Sequence, residues 1–258
     1  MTHIAICGIR GRMGQALLRL AAERDDMDVI GGIGSARTEL SSLPVIPLEQ
    51  ADDLLSQADV IIDFSSPAAT VRLIDRVAAL PPGRALVIGT TGLDESTRQR
   101  MAALAARTAV LDAANFSVGV NVLLGLTERI AAMLDAGVFD IEIVEAHHRR
   151  KADAPSGTAL ALAEAAARGR GSALEPLRRD GRSGGSGARP TGEIGLHAVR
   201  GGGIVGEHRV LFAAEREVIE LRHEALDRAV FAHGALEAAR WLAGRAPGRY
   251  TMQHVLGL

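Results

Sequence analysis

His3-Ile4-Ala5-Ile6-Cys7-Gly8-Ile9-Arg10-Gly11-Arg12-Met13-Gly14 decides the fold. The first five residues form a short apolar run that stops at a glycine, the pattern of a strand buried on both faces. Met13, Ala16, Leu17, Leu20 and Ala21 then recur at helical spacing, which predicts an amphipathic helix over 12–24. Glycines at 8, 11 and 14 fill the turn between them. A tight turn needs a residue without Cβ. A pyrophosphate needs close approach to the backbone, and a helix N-terminus offers it N–H groups and a positive dipole end. The pattern is a G-x-x-G-x-x-G variant of the dinucleotide fingerprint. A plain glycine-rich turn is the alternative, and the placement between strand and helix favours the nucleotide reading.

The same rhythm continues outward from this stretch. Met27 to Ile33 reads as a second strand and Ala58 to Phe64 as a third. Pro67 suits the first turn of a helix carried on by Val71, Ile74 and Val77. Ala85 to Ile88 is a fourth strand, Asp94 can cap a helix running to Arg107, and Ala109-Val110-Leu111 is a fifth strand. This β-α-β-α order predicts an α/β fold, with a Rossmann-like parallel sheet and helices on both faces. Near residue 118 the pattern changes. A helix over 119–135 leads into Phe139 to Glu145, which alternates as a strand with one wet face does. A helix from Ser156 to Arg168 follows, and Pro176 to Gly192, rich in Gly, Arg, Ser and Pro, reads as a mobile loop. Strand-like stretches at 193–200, 206–213 and 217–223 predict a second, smaller α+β domain with a mixed sheet, before a last helix over 225–244.

Composition bounds the function. A chain of 258 residues allows one or two domains of about 150 residues each. Lys and Arg number 29 against 31 Asp and Glu, which argues against a nucleic-acid-coating protein. Aromatics at 3% disfavour base-stacking platforms. One cysteine, Cys7, cannot form an internal disulfide, so a reducing cytoplasm is expected. Neither a signal peptide nor a membrane span is read in the chain.

The end of the second strand holds the selectivity signal for the nucleotide. Ile33-Gly34-Ser35-Ala36-Arg37 has no carboxylate before Glu39 to hold a ribose diol. NADPH is therefore the expected preference, with NADH possible, and Arg37 with Arg10 or Arg12 facing the 2′-phosphate. A solvated loop charge is the alternative for Arg37. Gly89-Thr90-Thr91-Gly92, at the carboxyl edge of strand four, can lie against a nicotinamide ribose. Asp63 to Pro67 is a less specific counterpart at strand three.

Glu145-Ala146-His147-His148-Arg149-Arg150-Lys151-Ala152-Asp153-Ala154-Pro155-Ser156-Gly157-Thr158 is the most informative stretch. Five consecutive basic or titratable residues precede a helix start whose N–H groups suit a carboxylate. Histidine and lysine add proton-transfer capacity. Together they suggest a pocket for a small, doubly anionic substrate that must be protonated. A solvated basic loop before a capped helix is the alternative. No metal is expected, because neither cysteines nor an H-E-x-x-H spacing accompanies the two histidines.

At these residues the chain resembles the bacterial 4-hydroxy-tetrahydrodipicolinate (dihydrodipicolinate) reductases. The resemblance runs through Gly8 to Gly14, Ile62-Asp63-Phe64, Val87 to Gly92, Ala113 to Asn121, Glu145 to Ala159 and Gly202 to His208. It implies NAD(P)H-dependent reduction of a cyclic imine in the diaminopimelate route to lysine. It also implies a homotetramer joined through the second-domain sheets. The domains would be 1–117 with 226–258 for the dinucleotide, and 118–225 for substrate and oligomerisation. His147 would be the acid/base and Lys151 the proton donor, while His148, Gly157 and Thr158 would bind substrate carboxylates. Gly8, Ile9, Arg10, Gly11, Arg12 and Met13 would hold the pyrophosphate. Ser35 and Arg37 would face the adenosine ribose, and Gly89, Thr90, Thr91, Ala113, Ala114, Asn115 and Phe116 the nicotinamide half. Many members carry Glu-Arg where this chain has Ser35-Ala36, which weakens the case for NADH. Two other readings compete: an amino-acid or semialdehyde dehydrogenase, which a catalytic cysteine would favour, and a non-catalytic nucleotide sensor.

Overall fold

A computed structural model describes residues 1–258. Contacts divide the chain into two units, Met1–Val118 with Ala229–Leu258, and Gly119–Arg228.

The first unit opens with β1 (Thr2–Cys7), α1 (Arg12–Ala21), β2 (Met27–Gly34), β3 (Thr38–Leu40) and β4 (Leu43–Pro47). After a 3-10 turn come α2 (Asp52–Gln57), β5 (Val60–Asp63), α3 (Pro67–Ala79), β6 (Ala85–Ile88), α4 (Glu95–Ala105) and β7 (Ala109–Asp112). The second unit holds α5 (Val118–Met133, begun on the last residue of the first), β8 (Asp140–His147), α6 (Gly157–Gly169), β9 (Arg178–Asp180), β10 (Ile194–Arg200), β11 (Gly206–Ala213) and β12 (Val218–Ala225). The chain then returns to the first unit for α7 (Ala229–Leu242), β13 (Gly248–Tyr250) and α8 (Met252–Leu256).

The first sheet has the order β13-β7-β6-β5-β1-β2-β4-β3, parallel except for β3 against β4. Alternate residues of each central strand serve different cores. Ile4 and Ile6 pack with Leu17 of α1 and Leu236 of α7. Ala5 and Cys7 pack with Leu54 of α2, Leu73 of α3 and Leu104 of α4. That two-sided burial is why these strands read as continuous apolar runs. The chain reverses its direction of winding at β1, so the carboxyl ends of β1 and β5 flank the crevice where such sheets take ligands.

The second sheet has the order β12-β11-β8-β10-β9. β10 runs parallel to β8 and β9, and β11 antiparallel to β8 and β12, so the sheet is mixed. Ile141, Ile143, Leu196, Val210 and Phe212 pack against Leu123 of α5 and Leu162 of α6. On the other face Val199 and Val218 are 48% and 57% exposed.

Several elements differ from the sequence expectation. The hairpin of β3 and β4 was not anticipated; its turn places Ser41 and Ser42 at φ 51° and 67°, where Asn-Gly is the usual signal. The 176–192 segment contains β9 and is pinned by Arg189. Arg189 donates from Nε to Glu142 (2.9 Å), from Nη1 to Asp140 (2.7 Å) and from Nη2 to the Ile141 carbonyl (3.1 Å). The last long helix starts at Ala229 rather than 225, because the β11–β12 ladder continues to Ala225 opposite Gly206.

Candidate active site

In the first unit the turn after β1 is closed by the Gly11 N–H donating to the Gly8 carbonyl (2.9 Å). Gly8 has φ +79°, and a Cβ on it would stand 2.5 Å from the Phe64 carbonyl oxygen. A Cβ on Gly14 would stand 2.4 Å from the Gly8 oxygen. The turn is thus shaped by main chain against main chain, and it leaves the start of α1 open to an anion. Ile9 has its side chain in the core, so only its backbone can face a pyrophosphate; Met13 is half-buried there. Arg10, Arg12 and Arg37 are exposed, and none of their guanidinium groups has a salt-bridge partner. Ser35 lines a cavity of about 370 Å³ with Gly8, Gly34, Ser65 and Arg72.

Asp63, at the end of β5, opens the Asp63–Pro67 stretch, the less specific counterpart of Gly89–Gly92 in the sequence. It is fully buried. Its carboxylate accepts from the Ser65 N–H (3.1 Å) and from the hydroxyls of Ser65 (2.5 Å), Thr70 (2.5 Å) and Thr90 (3.1 Å). Thr90 Oγ1 also accepts from the Ser65 N–H at 3.0 Å, so the loops after β5 and β6 are tied together. Gly89 lies against the Phe64 ring, where a Cβ would come within 2.1 Å, and Thr91 is exposed. The Ala113 N–H donates to the Ile88 carbonyl (3.2 Å), leaving Ala114 exposed and Asn115 half-buried beside it. The Phe116 ring meets Phe64 edge-on at 5.5 Å inside the core, so its backbone alone can meet a cofactor. Cys7 is buried and its thiol is pushed up by burial and then by the Asp63 charge. That removes it as a nucleophile and with it the motive for the semialdehyde dehydrogenase reading.

In the second unit the carboxyl ends of β8 and β10, the start of β11 and the start of α6 converge. Ser156 caps α6, accepting from the Ala159 N–H at 3.1 Å. A Cβ on Gly157 would find nothing within 4 Å, so the helix start is open; Thr158 is half-buried in the same turn. Glu145 is 1% exposed. It accepts from His147 Nδ1 (2.6 Å), the Ser156 N–H (3.0 Å) and both Arg200 Nη atoms (2.8 and 2.7 Å). Burial opposes its charge, but the Arg200 fork, His147 and Ser156 outweigh burial and hold its carboxyl below the usual range.

Lys151 stands on the connecting loop with its Nζ 2.9 Å from Asp153 Oδ2. His148 is half-buried, and burial, followed by the charges of Arg150 and Arg228, lowers its pKa. His208 closes the Gly202–His208 stretch, and the sequence alone gives it no role. It lies opposite Glu145 on β11, 3.2 Å from Ser156 Oγ and edge-on to the His147 ring at 5.2 Å. Residues far apart in the chain, 145, 200 and 208, thus meet around His147 through strand pairing.

Burial, then the His147 charge, pushes the His208 imidazole down to about 4 from an ordinary 6.5. The unfolded chain takes up this proton below 6.5 and the folded chain does not, so stability is lost as pH falls from 6.5 towards 4. Urea unfolding of the wild type and of His208→Gln near neutrality and near the lower limit should show about 2 to 3 kcal/mol more acid loss in the wild type. Equal losses in the two proteins refute this role of His208.

Residues 2–116 match the N-terminal domain and residues 119–256 the C-terminal domain that define dihydrodipicolinate reductase. The chain belongs to the dihydrodipicolinate reductase family. The 4-hydroxy-tetrahydrodipicolinate reductase of Ruegeria pomeroyi is 50% identical over 276 residues, covering 100% of both chains. That of Roseobacter denitrificans is 49% identical over 269 residues, covering 99% of this chain and 97% of the relative. A dipicolinate-bound dihydrodipicolinate reductase from Paenisporosarcina sp. TG-14 superposes with a TM-score of 0.76 at 25% identity, covering 97% of each chain. As a dihydrodipicolinate reductase family member the chain is an oxidoreductase that takes a nicotinamide cofactor. No helix is long and apolar enough to cross a membrane.

Proposed function

We propose that the protein reduces 4-hydroxy-tetrahydrodipicolinate, by way of the dehydrated cyclic imine, to tetrahydrodipicolinate in the diaminopimelate route to lysine. The observation that carries this reading is the meeting of His147 and the open start of α6 on one buried carboxylate, Glu145. A proton-transfer group and an anion-binding helix start are thereby held together at one sheet end, as reduction of a small diacid requires.

The glycine turn after β1 fits a dinucleotide, since a Cβ at Gly8 or Gly14 would fill the space its backbone needs. Gly8 to Met13 hold the pyrophosphate, and Gly89 to Thr91 with Ala113 to Phe116 line the nicotinamide half. A reduced nicotinamide held there supplies the hydride. His148, Gly157 and Thr158 bind the substrate carboxylates at the helix start. Negative charge develops toward the ring nitrogen, where the Lys151 ammonium stabilises it and gives up a proton. His147 exchanges protons at the same site. Loss of water, gain of hydride and gain of one proton balance the conversion.

NADPH is the preferred cofactor, because Arg10, Arg12 and Arg37 are exposed cations without an ion-pair partner, and Ser35 stands where a ribose-binding carboxylate would otherwise be. The protein works in the cytoplasm as a homotetramer, to which the exposed Val199 and Val218 face of the second sheet contributes. The test is the loss of absorbance at the nicotinamide band on adding the cyclic substrate, with each cofactor in turn. Turnover is expected with both, with a higher kcat/KM for NADPH. No substrate-dependent oxidation of either cofactor overturns the reading, and a clear NADH preference overturns the cofactor assignment alone.

A further inference from the structure

We propose that Glu145 is a positioning residue that sets the tautomer of His147, with the proton on Nδ1 and the lone pair on Nε2. The inference rests on the site assignment above and deepens it. An ionised carboxylate has no hydrogen to donate, so the 2.6 Å contact requires His147 Nδ1 to be the donor. In a neutral ring the other nitrogen, Nε2, is then the acceptor, the state needed to take up a proton and pass it on. Nε2 lies over Gly206, where a Cβ would come within 3.1 Å, so the glycine leaves room on the working side of the ring.

The carboxylate is kept ionised by its surroundings. Two Arg200 nitrogens, the Ser156 N–H and His147 Nδ1 donate to it. Four donors match the roughly four lone-pair positions of a carboxylate. Arg200 is itself oriented by donating to the Asp153 carbonyl at 2.5 Å, on the loop that carries Lys151. The strand register delivers this arrangement, since Arg200 is the partner of His147 on β10 and Ala198 the partner of Glu145. An amide cannot replace the carboxylate. Glu145→Gln presents two hydrogens to neighbours that are themselves donors, and the neutral imidazole relieves the conflict by turning Nδ1 into an acceptor and protonating Nε2.

Ring nitrogen shifts of ¹⁵N-histidine protein, recorded where imidazole is neutral, test this directly. His147, identified by its loss in His147→Gln, should show a protonated Nδ1 and a bare Nε2 in the wild type, and the reverse in E145Q. In reductase assays the folded E145Q protein should lose about 10²-fold in kcat, the scale of an oriented acid–base group, with KM for the substrate changed only a few-fold. Glu145→Asp, which keeps the charge, should recover part of that loss. A wild-type ring protonated on Nε2, or folded E145Q with wild-type kcat, overturns the proposal. If E145Q does not fold, the wild-type spectrum alone decides. Absence of reductase turnover in the wild type counts instead against the functional reading, and the tautomer measurement stands apart from it.

Discussion

Replacing Lys151 by alanine is expected to lower kcat by about 10²-fold or more, the usual cost of losing an acid or a fixed charge aimed at developing charge. The fold should tolerate the change. The Lys151 side chain is 22% exposed and its one ion pair is with Asp153, itself 59% exposed. Such surface pairs contribute between about 0 and 1 kcal/mol. In the structure the ammonium is held 2.9 Å from the Asp153 carboxylate, on the same loop. Lys151→Arg separates two roles. Arginine keeps the charge but does not release a proton near neutrality, so a rate as low as that of the alanine variant identifies proton donation. Steady-state kinetics of both variants, with circular dichroism to confirm folding, make the measurement. A near-wild-type kcat in Lys151→Ala removes this residue from the mechanism.

Gly8→Ala should damage stability and cofactor binding together. Alanine at φ +79° costs about 1 to 2 kcal/mol for its left-handed conformation. Its Cβ would also stand 2.5 Å from the Phe64 carbonyl oxygen, which is main chain at the end of β5 and has no rotamer to yield with. Overpacking of this kind adds about 1 to 3 kcal/mol. Relief means moving the turn after β1 away from the loop after β5, which displaces the start of α1 from where a pyrophosphate would rest. Urea unfolding should show a loss of about 3 kcal/mol, and KM for NADPH should rise at least about tenfold, since each 1.4 kcal/mol is a decade. Unchanged values in both measurements dismiss the turn as a cofactor cradle.

Legibility in the sequence followed the range of the interactions. Ser156 and Asp94 were readable as helix caps because a cap is decided within four residues, and both side chains do accept from the N–H three positions on. The central strands of the first unit were readable because burial on both faces leaves an uninterrupted apolar run. The hairpin at Thr38–Leu40 and Leu43–Pro47 was not, because its strands are three and five residues long and contain prolines at 44 and 47. β13 escaped notice for the same reason, being three residues at the edge of the sheet. In the second unit His147 and Lys151 stood out in a dense local motif. The partners that organise it did not, because Arg200 lies 55 residues from Glu145 and His208 lies 52 from Ser156. Those partnerships exist only once β8, β10 and β11 are in register.

Asp63 shows what such hidden partnerships imply mechanically. One carboxylate with no cation beside it gathers hydroxyls from the segment after β5, from the first turn of α3 and from the segment after β6. Those three pieces of chain are thereby welded to the sheet as a single plate, so a disturbance at any one of them is passed to the others. An engineer who wished to reshape this rim would have to redesign all three together.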